Sequence, residues 1–314
     1  CLLSRGLGDV YKRQVLEMYR FDPDADDTSR DNLMRQSIDL ISKFPTIIAY
    51  AYNMLRHATF GRSLHIRHPQ EKLSIAENFL YMLKKDYTEL DARTLDLLLI
   101  LQAEHGGGNN STFTCRCVTS TGTDAYAAYA SAISALKGPR HGGANIKVME
   151  MLNCIENGVK NWENEGEVAD FLTKILNKEE NDHSGLIYGM GHAVYTLSDP
   201  RAVQLKKSAL KLAKGTEVEA EFRLLDTIER LTPQLFAKNK GDVKTMCANV
   251  DMYSGLVYKL LGIPVEMYTA LFACARMPGW CAHRMEEIEN GKRIMRPAYR
   301  TLIKNRDYIA LDER

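Results

Sequence analysis

The sequence has no long apolar run and no excess of charge of one sign. Its longest apolar runs have six residues, for example 47–52, whereas a membrane-spanning helix needs about 20. The formal net charge is only +1, so no overall field attracts a nucleic-acid backbone or an anionic membrane. We therefore expect a soluble protein that binds neither nucleic acid nor a membrane. Any anionic ligand would be bound by a local group of basic residues.

Glycine and proline are also too few for a collagenous or low-complexity chain, with 21 and 9 among 314 residues. The cysteines number seven, which is odd, and they are scattered, as in proteins of a reducing compartment. We accordingly predict a cytoplasmic protein. Cys115 and Cys117 form a C-x-C pair, but no second pair follows at ligand spacing, so we expect no metal site.

Strand signals are nearly absent, whereas helix signals recur along the chain. Capping boxes at Ser74–Glu77 and at Thr88–Asp91 each precede apolar residues at helical spacing. Neither a G-x-G-x-x-G nor a P-loop motif occurs, and no strand alternates with the helices. The sequence predicts an all-α fold, with further helices over 125–137, 146–154, 168–176, 202–213, 217–231, 252–261 and 264–275.

The first fourteen residues show no secretory pattern and no clear amphipathic pattern. They resemble translated adapter sequence at the end of an assembled gene fragment. We therefore interpret residues 1–14 as a non-native leader, leave them out of the fold prediction, and expect the chain to be truncated at its N-terminus.

The few glycine-rich polar segments each carry a histidine or an aspartate. They are His105-Gly106-Gly107-Gly108-Asn109, Gly138-Pro139-Arg140-His141-Gly142-Gly143-Ala144-Asn145, Gly189-Met190-Gly191-His192-Ala193-Val194-Tyr195 running into Asp199-Pro200-Arg201, and Ala248-Asn249-Val250-Asp251. In an all-α protein such segments join helices, where backbone amides can face a ligand. Singly, each has an ordinary explanation: a hydrogen-bonded histidine, a helix start at Asp199, or an N-cap at Asp251. The other histidines lie outside these segments and are interpreted as structural: His57, His65, His68, His183 and His283.

As an ordered set, the four segments resemble the citrate synthase family, from about residue 31 to residue 299. The resemblance implies an all-α, two-domain homodimer that condenses acetyl-CoA with oxaloacetate and hydrolyses the citryl thioester. It implies a large domain from residues 15–143 and 255–314, with a small domain, 144–254, inserted. It implies no permanently bound cofactor, since acetyl-CoA is a co-substrate.

The resemblance also assigns three catalytic residues. Asp251 matches the base that removes a methyl proton from acetyl-CoA, and His141 matches a neutral histidine that donates a hydrogen bond to the thioester carbonyl. His192 matches the donor that polarises the oxaloacetate ketone. These types suit the chemistry, because a thioester methyl is a very weak carbon acid and needs both a base and an oxyanion donor.

Four further residues match ligands of the oxaloacetate carboxylates: His105, Arg201, Arg276 and Arg296. Guanidinium forks bind carboxylates bidentately, which suits a substrate with two of them. The resemblance implies that Arg296 reaches the site of the partner subunit. At two positions where many members of the family carry a basic residue for the CoA phosphate, this sequence has Ala193 and Thr196, so its phosphate contacts remain unassigned.

Three alternatives stay open. His105-Gly106-Gly107-Gly108 matches the H-G-G-G motif of lipases, although no G-x-S-x-G elbow occurs. A non-catalytic helical scaffold accounts for the helices but not for His, Asp and Arg in the glycine-rich segments. A 2-methylcitrate synthase would use propionyl-CoA, which is one methylene longer than acetyl-CoA, and no motif separates the two.

Overall fold

The computed structural model describes residues 2–191, 195, 197–240, 246–302 and 308–313. Within these ranges it is helical and contains no strand, apart from an isolated antiparallel bridge between Met190 and Ala248, so the all-α prediction is confirmed. The helices are α1 Leu2–Phe21, α2 Arg30–Phe60, α3 Ile75–Leu83, α4 Glu89–Gln102, α5 Asn110–Thr119, α6 Ala125–Leu136, α7 Ala144–Gly158, α8 Glu165–Leu176, α9 Pro200–Ala213, α10 Glu219–Lys240, α11 Asp251–Leu260 and α12 Tyr268–Asn290. Short 3₁₀ turns lie at Val265–Met267 and Leu311–Glu313.

Both predicted capping boxes start helices as expected. Ser74 Oγ accepts the Glu77 N–H at 3.3 Å, and the Glu77 carboxylate accepts the Ser74 N–H at 2.8 Å. Thr88 and Asp91 form the same reciprocal pair at the start of α4. The two pairs satisfy N–H groups that have no helical partner at these ends.

Residues 2–14, which the fold prediction left out, are part of α1. Leu7, Tyr11 and Val15 are almost completely buried, and the Tyr11 ring meets Phe44 of α2 edge-on at 5.7 Å. Their spacing of four puts the three side chains on one helix face, and α1 packs against α6 and α2. That spacing is the amphipathic pattern which the sequence analysis missed.

Two helices, α2 and α5, were not predicted from the sequence, and α12 continues to Asn290, beyond the predicted end at residue 275. α2 continues through Pro45, and α12 continues through Pro278. A proline removes one helical hydrogen bond, but tertiary packing can offset that loss. Pro45 is buried in the core beside Phe44, and Trp280 follows Pro278 as a fully buried side chain.

α12 is the helix around which the candidate site is built. It packs against α2, α4 and α5. Arg276 and Trp280 are four residues apart on this helix, and both side chains are fully buried. On the other side of the site, α11 packs against α7 and α9. None of the described helices has both the length and the apolar character of a membrane span.

Candidate active site

His105 lies in the turn after α4, and a glutamate fixes the backbone of that turn. Glu104 Oε1 accepts the N–H of His105 at 2.7 Å and also the N–H of Gly106. Gly106 has a φ of +82°, in the left-handed region that favours glycine. The local sequence therefore makes a tight turn that leaves His105 partly exposed.

Arg276 is a buried cation that can still donate hydrogen bonds to a ligand. Its Nε donates to the Gln102 carbonyl at 2.7 Å, whereas its Nη1 is buried and has no hydrogen-bond partner among the described residues. Burial lowers the pKa of Arg276 to about 10, while the Glu104 carboxylate acts in the opposite direction. A buried guanidinium with an open donor is well suited to bind a carboxylate.

Arg201 is held by the aspartate that starts its own helix. Asp199 Oδ1 accepts the Arg201 backbone N–H at 2.9 Å and its Nε at 3.1 Å, and Oδ2 accepts Nη2 at 2.8 Å. Asp199 is 1% exposed, and Pro200 is the first residue of α9. The helix start expected at Asp199 is confirmed, and the same carboxylate also orients Arg201.

Asp251 is the first residue of α11, but its side chain does not cap the helix. The residue before the helix is Val250, and no side-chain hydrogen bond caps this end. The Asp251 N–H donates to Asn249 Oδ1 at 3.0 Å. Burial raises the pKa of Asp251 to about 6, although Arg201 and Arg276 favour its ionised form. The N-cap explanation for Asp251 is therefore wrong.

His192 lies outside the described residues, but the residues just before it are anchored to the Asp251 segment. The Asn249 side-chain amide donates to the Gly191 carbonyl at 3.0 Å, and the Gly191 N–H donates to the Cys247 carbonyl at 2.8 Å. Asn249 also donates its backbone N–H to Gly189 at 2.9 Å. One asparagine thus contacts both the Asp251 backbone and the segment that leads to His192.

His141 is held as a neutral imidazole in one tautomer. Its Nε2 accepts the backbone N–H of Ser111 at 3.3 Å and lies 3.0 Å from Ser111 Oγ, which in turn accepts the Trp280 indole N–H at 3.2 Å. A backbone N–H can only donate, so Nε2 is the acceptor and Nδ1 carries the proton. Burial and the charge of Arg276 lower the pKa of His141 to about 4.

The glycine after His141 allows the chain to turn tightly there. The Gly142 N–H donates to the Leu136 carbonyl at 2.8 Å, and a Cβ on Gly142 would lie 2.2 Å from the same oxygen. Thr269 Oγ1 donates to the Gly142 carbonyl at 2.9 Å. The His141 segment is therefore fixed between α6 and the first turn of α12.

The structure brings most of the sequence-predicted residues together around Arg276. Its charge acts on both Asp251 and His141, and Arg201 also lies close enough to affect the pKa of Asp251. Arg296 is different, because it is exposed on the extended segment after α12, where the Met295 N–H donates to Ser120 Oγ at 3.0 Å. Five residues that hold the site were not predicted in that role: Glu104, Ser111, Asp199, Asn249 and Trp280.

Comparisons with known proteins identify the family of the chain. The family model "Citrate synthase, C-terminal domain" matches residues 7–298. The chain belongs to the citrate synthase family. Citrate synthase of Synechocystis is 37% identical over 88% of the chain, and that of Deinococcus radiodurans is 36% identical over 93%. The chain spans 64% and 72% of the lengths of these two relatives.

Solved citrate synthase structures share the fold as well. The enzyme of Pyrobaculum aerophilum superposes with a TM-score of 0.77 at 31% identity, and the match covers 99% of this chain and 76% of that one. A ternary complex of the Thermoplasma acidophilum enzyme with carboxymethyl coenzyme A and oxaloacetate gives a TM-score of 0.79 at 26% identity. That match covers 98% of this chain and 76% of that one.

Proposed function

We propose that the chain catalyses the condensation of acetyl-CoA with oxaloacetate and water to give citrate and CoA. The observation that carries the proposal is the pairing of Asp251, with a pKa of about 6, and a neutral His141 around the buried Arg276. A carboxylate with a raised pKa is a stronger base, and a neutral imidazole with a fixed N–H is an oxyanion donor. Together these groups suit the enolisation of a thioester beside a bound carboxylate.

In this proposal the reaction begins when oxaloacetate binds. Arg201, Arg276 and His105 hold its carboxylates, and His192 polarises its ketone. Asp251 then takes a methyl proton from acetyl-CoA while His141 Nδ1–H stabilises the enol oxygen. The enol carbon attacks the ketone carbon, which gives citryl-CoA, and water cleaves the thioester to citrate and CoA.

Relatives support acetyl-CoA and oxaloacetate as the substrates. The curated relatives given above are named citrate synthase, and the Thermoplasma acidophilum complex holds oxaloacetate and a CoA analogue. Nothing in these comparisons specifically favours 2-methylcitrate synthesis. We therefore assign acetyl-CoA as the co-substrate and propose no permanently bound cofactor.

An assay of thiol release tests this function. CoA released from acetyl-CoA should depend strictly on added oxaloacetate. An esterase would release thiol without the keto acid, and a scaffold would release none. Kinetics with acetyl-CoA and propionyl-CoA side by side then separate citrate from 2-methylcitrate synthesis, and we expect kcat/KM to be higher with acetyl-CoA.

The pH dependence of the reaction should report on Asp251. A general base works only when it is deprotonated, so kcat/KM for acetyl-CoA should fall about tenfold per pH unit below pH 6. His141 stays neutral throughout this range, because its pKa is about 4. A rate that stays level from pH 7 down to pH 5 would contradict the assignment of Asp251 as the base.

We also propose that residues 144–254 form a small domain that closes over the substrates. In support, the helices within this range pack on one another, with α8 and α9 both against α10. The ends of the range lie beside His141 and Asp251, which have to act on one thioester. Closure would exclude water before the enol forms.

The proposed assembly is a homodimer in the cytoplasm, with Arg296 contributed across the interface. The segment around Arg296 and the described residues after it expose large apolar side chains, which are Ile294, Tyr299, Leu302, Tyr308, Ile309 and Leu311. Such a series on a soluble protein indicates an interaction surface. The described cysteines form no disulfide, as expected in a reducing compartment.

Hybrid dimers test whether Arg296 crosses the interface. We expect Arg296→Leu to weaken oxaloacetate binding and turnover without unfolding the protein, because the side chain is exposed. In a hybrid of one Asp251→Asn subunit and one Arg296→Leu subunit, one site would have both residues intact and the other neither. Purified hybrids should recover about half of the wild-type activity per dimer, by counting sites under two-fold symmetry. Activity no higher than that of the Arg296→Leu dimer would show that Arg296 does not serve the partner's site.

A further inference from the structure

The last residue of α4 and the two residues that follow it are attached to one face of α12. Arg276 Nε donates to the Gln102 carbonyl at 2.7 Å. One turn along α12, Gly279 lies so close to the Ala103 carbonyl that a Cβ there would be 2.2 Å from the oxygen. The chain that leads to His105 is thus held at successive turns of the helix that carries Arg276.

The third attachment is a contact between the Glu104 carboxylate and the His283 ring. His283 Nε2 lies 3.0 Å from Glu104 Oε2, and the His283 side chain is 15% exposed. His283 is seven residues beyond Arg276, two turns along α12, so both side chains project from the same helix face. His283 lies outside the glycine-rich segments and was therefore interpreted from the sequence as structural.

The two oxygens of Glu104 have separate partners. Oε1 accepts the backbone N–H groups of His105 and Gly106, while Oε2 faces His283. Any shift of Glu104 therefore moves the two peptide groups that set the direction of the His105 side chain. Through Glu104 and His283, the position of α12 therefore determines the position of the His105 backbone.

His283 also lies close to Gly107, at the other end of the turn. A Cβ on Gly107 would lie 3.3 Å from His283 Cε1 and 2.7 Å from Arg116 Nη1, so the glycine permits a close approach there. Arg116 itself is fixed by Glu287 of α12, through Nη2 at 3.1 Å and Nε at 3.2 Å. The turn from Glu104 to Gly107 thus closes over the His283 ring.

We propose that Glu104 and His283 are positioning residues. They keep the His105 turn at a fixed position relative to Arg276, so that His105 and Arg276 can bind the same dicarboxylate. The inference rests on the proposed function, since it names what the pair does for oxaloacetate. Neither residue touches the substrate in this proposal. A carboxylate group bound by two donors loses affinity steeply when one donor is displaced, because the geometry of both bonds is fixed.

Two substitutions of the same histidine give a matched test. His283→Gln places an amide nitrogen at the same number of bonds from Cβ as Nε2, so it can still donate to Glu104. His283→Asn is one methylene shorter and cannot reach. We expect His283→Asn to raise the Kd for oxaloacetate about tenfold, measured by calorimetry without acyl-CoA, and His283→Gln to stay within about threefold. The KM for acetyl-CoA should change less than twofold in both.

Glu104→Gln and the double variant Glu104→Gln/His283→Asn complete a double-mutant cycle. Glu104→Gln should raise the Kd for oxaloacetate about as much as His283→Asn, and the double variant should be no worse than either single one, because each removes the same link. Glu221→Gln serves as the control, since Glu221 is 13% exposed and paired with Lys259 away from the His105 turn. It should lower Tm without changing the Kd for oxaloacetate.

The outcomes separate this inference from the proposed function. A wild-type chain that neither binds oxaloacetate nor releases CoA in its presence would overturn both. A wild-type chain that does so, with His283→Asn and Glu104→Gln binding oxaloacetate as tightly, would overturn the positioning role alone. Equal losses in His283→Asn and His283→Gln, or additive losses in the double variant, would also overturn it.

Discussion

Asp251→Asn should lower kcat by about three orders of magnitude while oxaloacetate binds almost as before. The asparagine amide occupies the same space but cannot accept the methyl proton. Asp251 is assigned to acetyl-CoA rather than to the keto acid, so its loss affects the transition state much more than the bound ground state. Single-turnover rates and calorimetry with oxaloacetate measure the two effects separately.

The fold should tolerate this substitution. Asp251 does not cap α11, and its backbone N–H keeps its bond to Asn249. Because burial raises the pKa of Asp251 above its unfolded value, the ionised form costs stability near neutral pH. We therefore expect the Tm of Asp251→Asn to be equal to or above that of the wild type.

A matched control is the same change at another helix start. Asp124 Oδ1 accepts the Ala127 N–H at 2.9 Å and caps α6, a role that asparagine fills nearly as well. Asp124→Asn should leave kcat unchanged. Near-normal turnover in Asp251→Asn would instead remove Asp251 from the chemistry.

Local signals in the sequence predicted those parts of the fold that depend on neighbouring residues. The capping boxes before α3 and α4 are examples, since an N-cap and its partner lie three residues apart. The helix start at Asp199 is another. α2 was missed because its N-terminus has no side-chain cap and Pro45 interrupts its helical pattern, although Gly61 ends the helix in the left-handed conformation.

The candidate site was predicted only in part, for a similar reason. The glycine-rich segments predicted where the candidate site lies, but the side chains that hold these segments come from distant positions. Trp280 and Ser111 are 169 residues apart in sequence, and no local pattern joins them. Glu104 and His283 meet only because α12 packs against α4. The role proposed for them rests on tertiary contacts alone.

His141→Ala should lower kcat by about two to three orders of magnitude, which is the usual effect of removing one oxyanion donor. His141 is neutral, and Nδ1 carries its proton, because Nε2 accepts the Ser111 N–H at 3.3 Å. The developing enolate charge of the thioester would lose its nearest donor in this variant. Binding of oxaloacetate should change little, since its carboxylates are assigned to other residues.

His141→Asn distinguishes the loss of the donor from the loss of the ring. Its amide nitrogen can occupy the position of Nδ1, so this variant should retain more activity than His141→Ala. Ser111→Ala should cost less than either, because the backbone N–H of residue 111 still fixes the acceptor role of Nε2. Tm measurements on all three variants detect any loss of folding. If His141→Ala turns over within tenfold of the wild type while folded, the thioester oxygen must be stabilised by another group, and the neutral tautomer held by Ser111 would have no catalytic purpose.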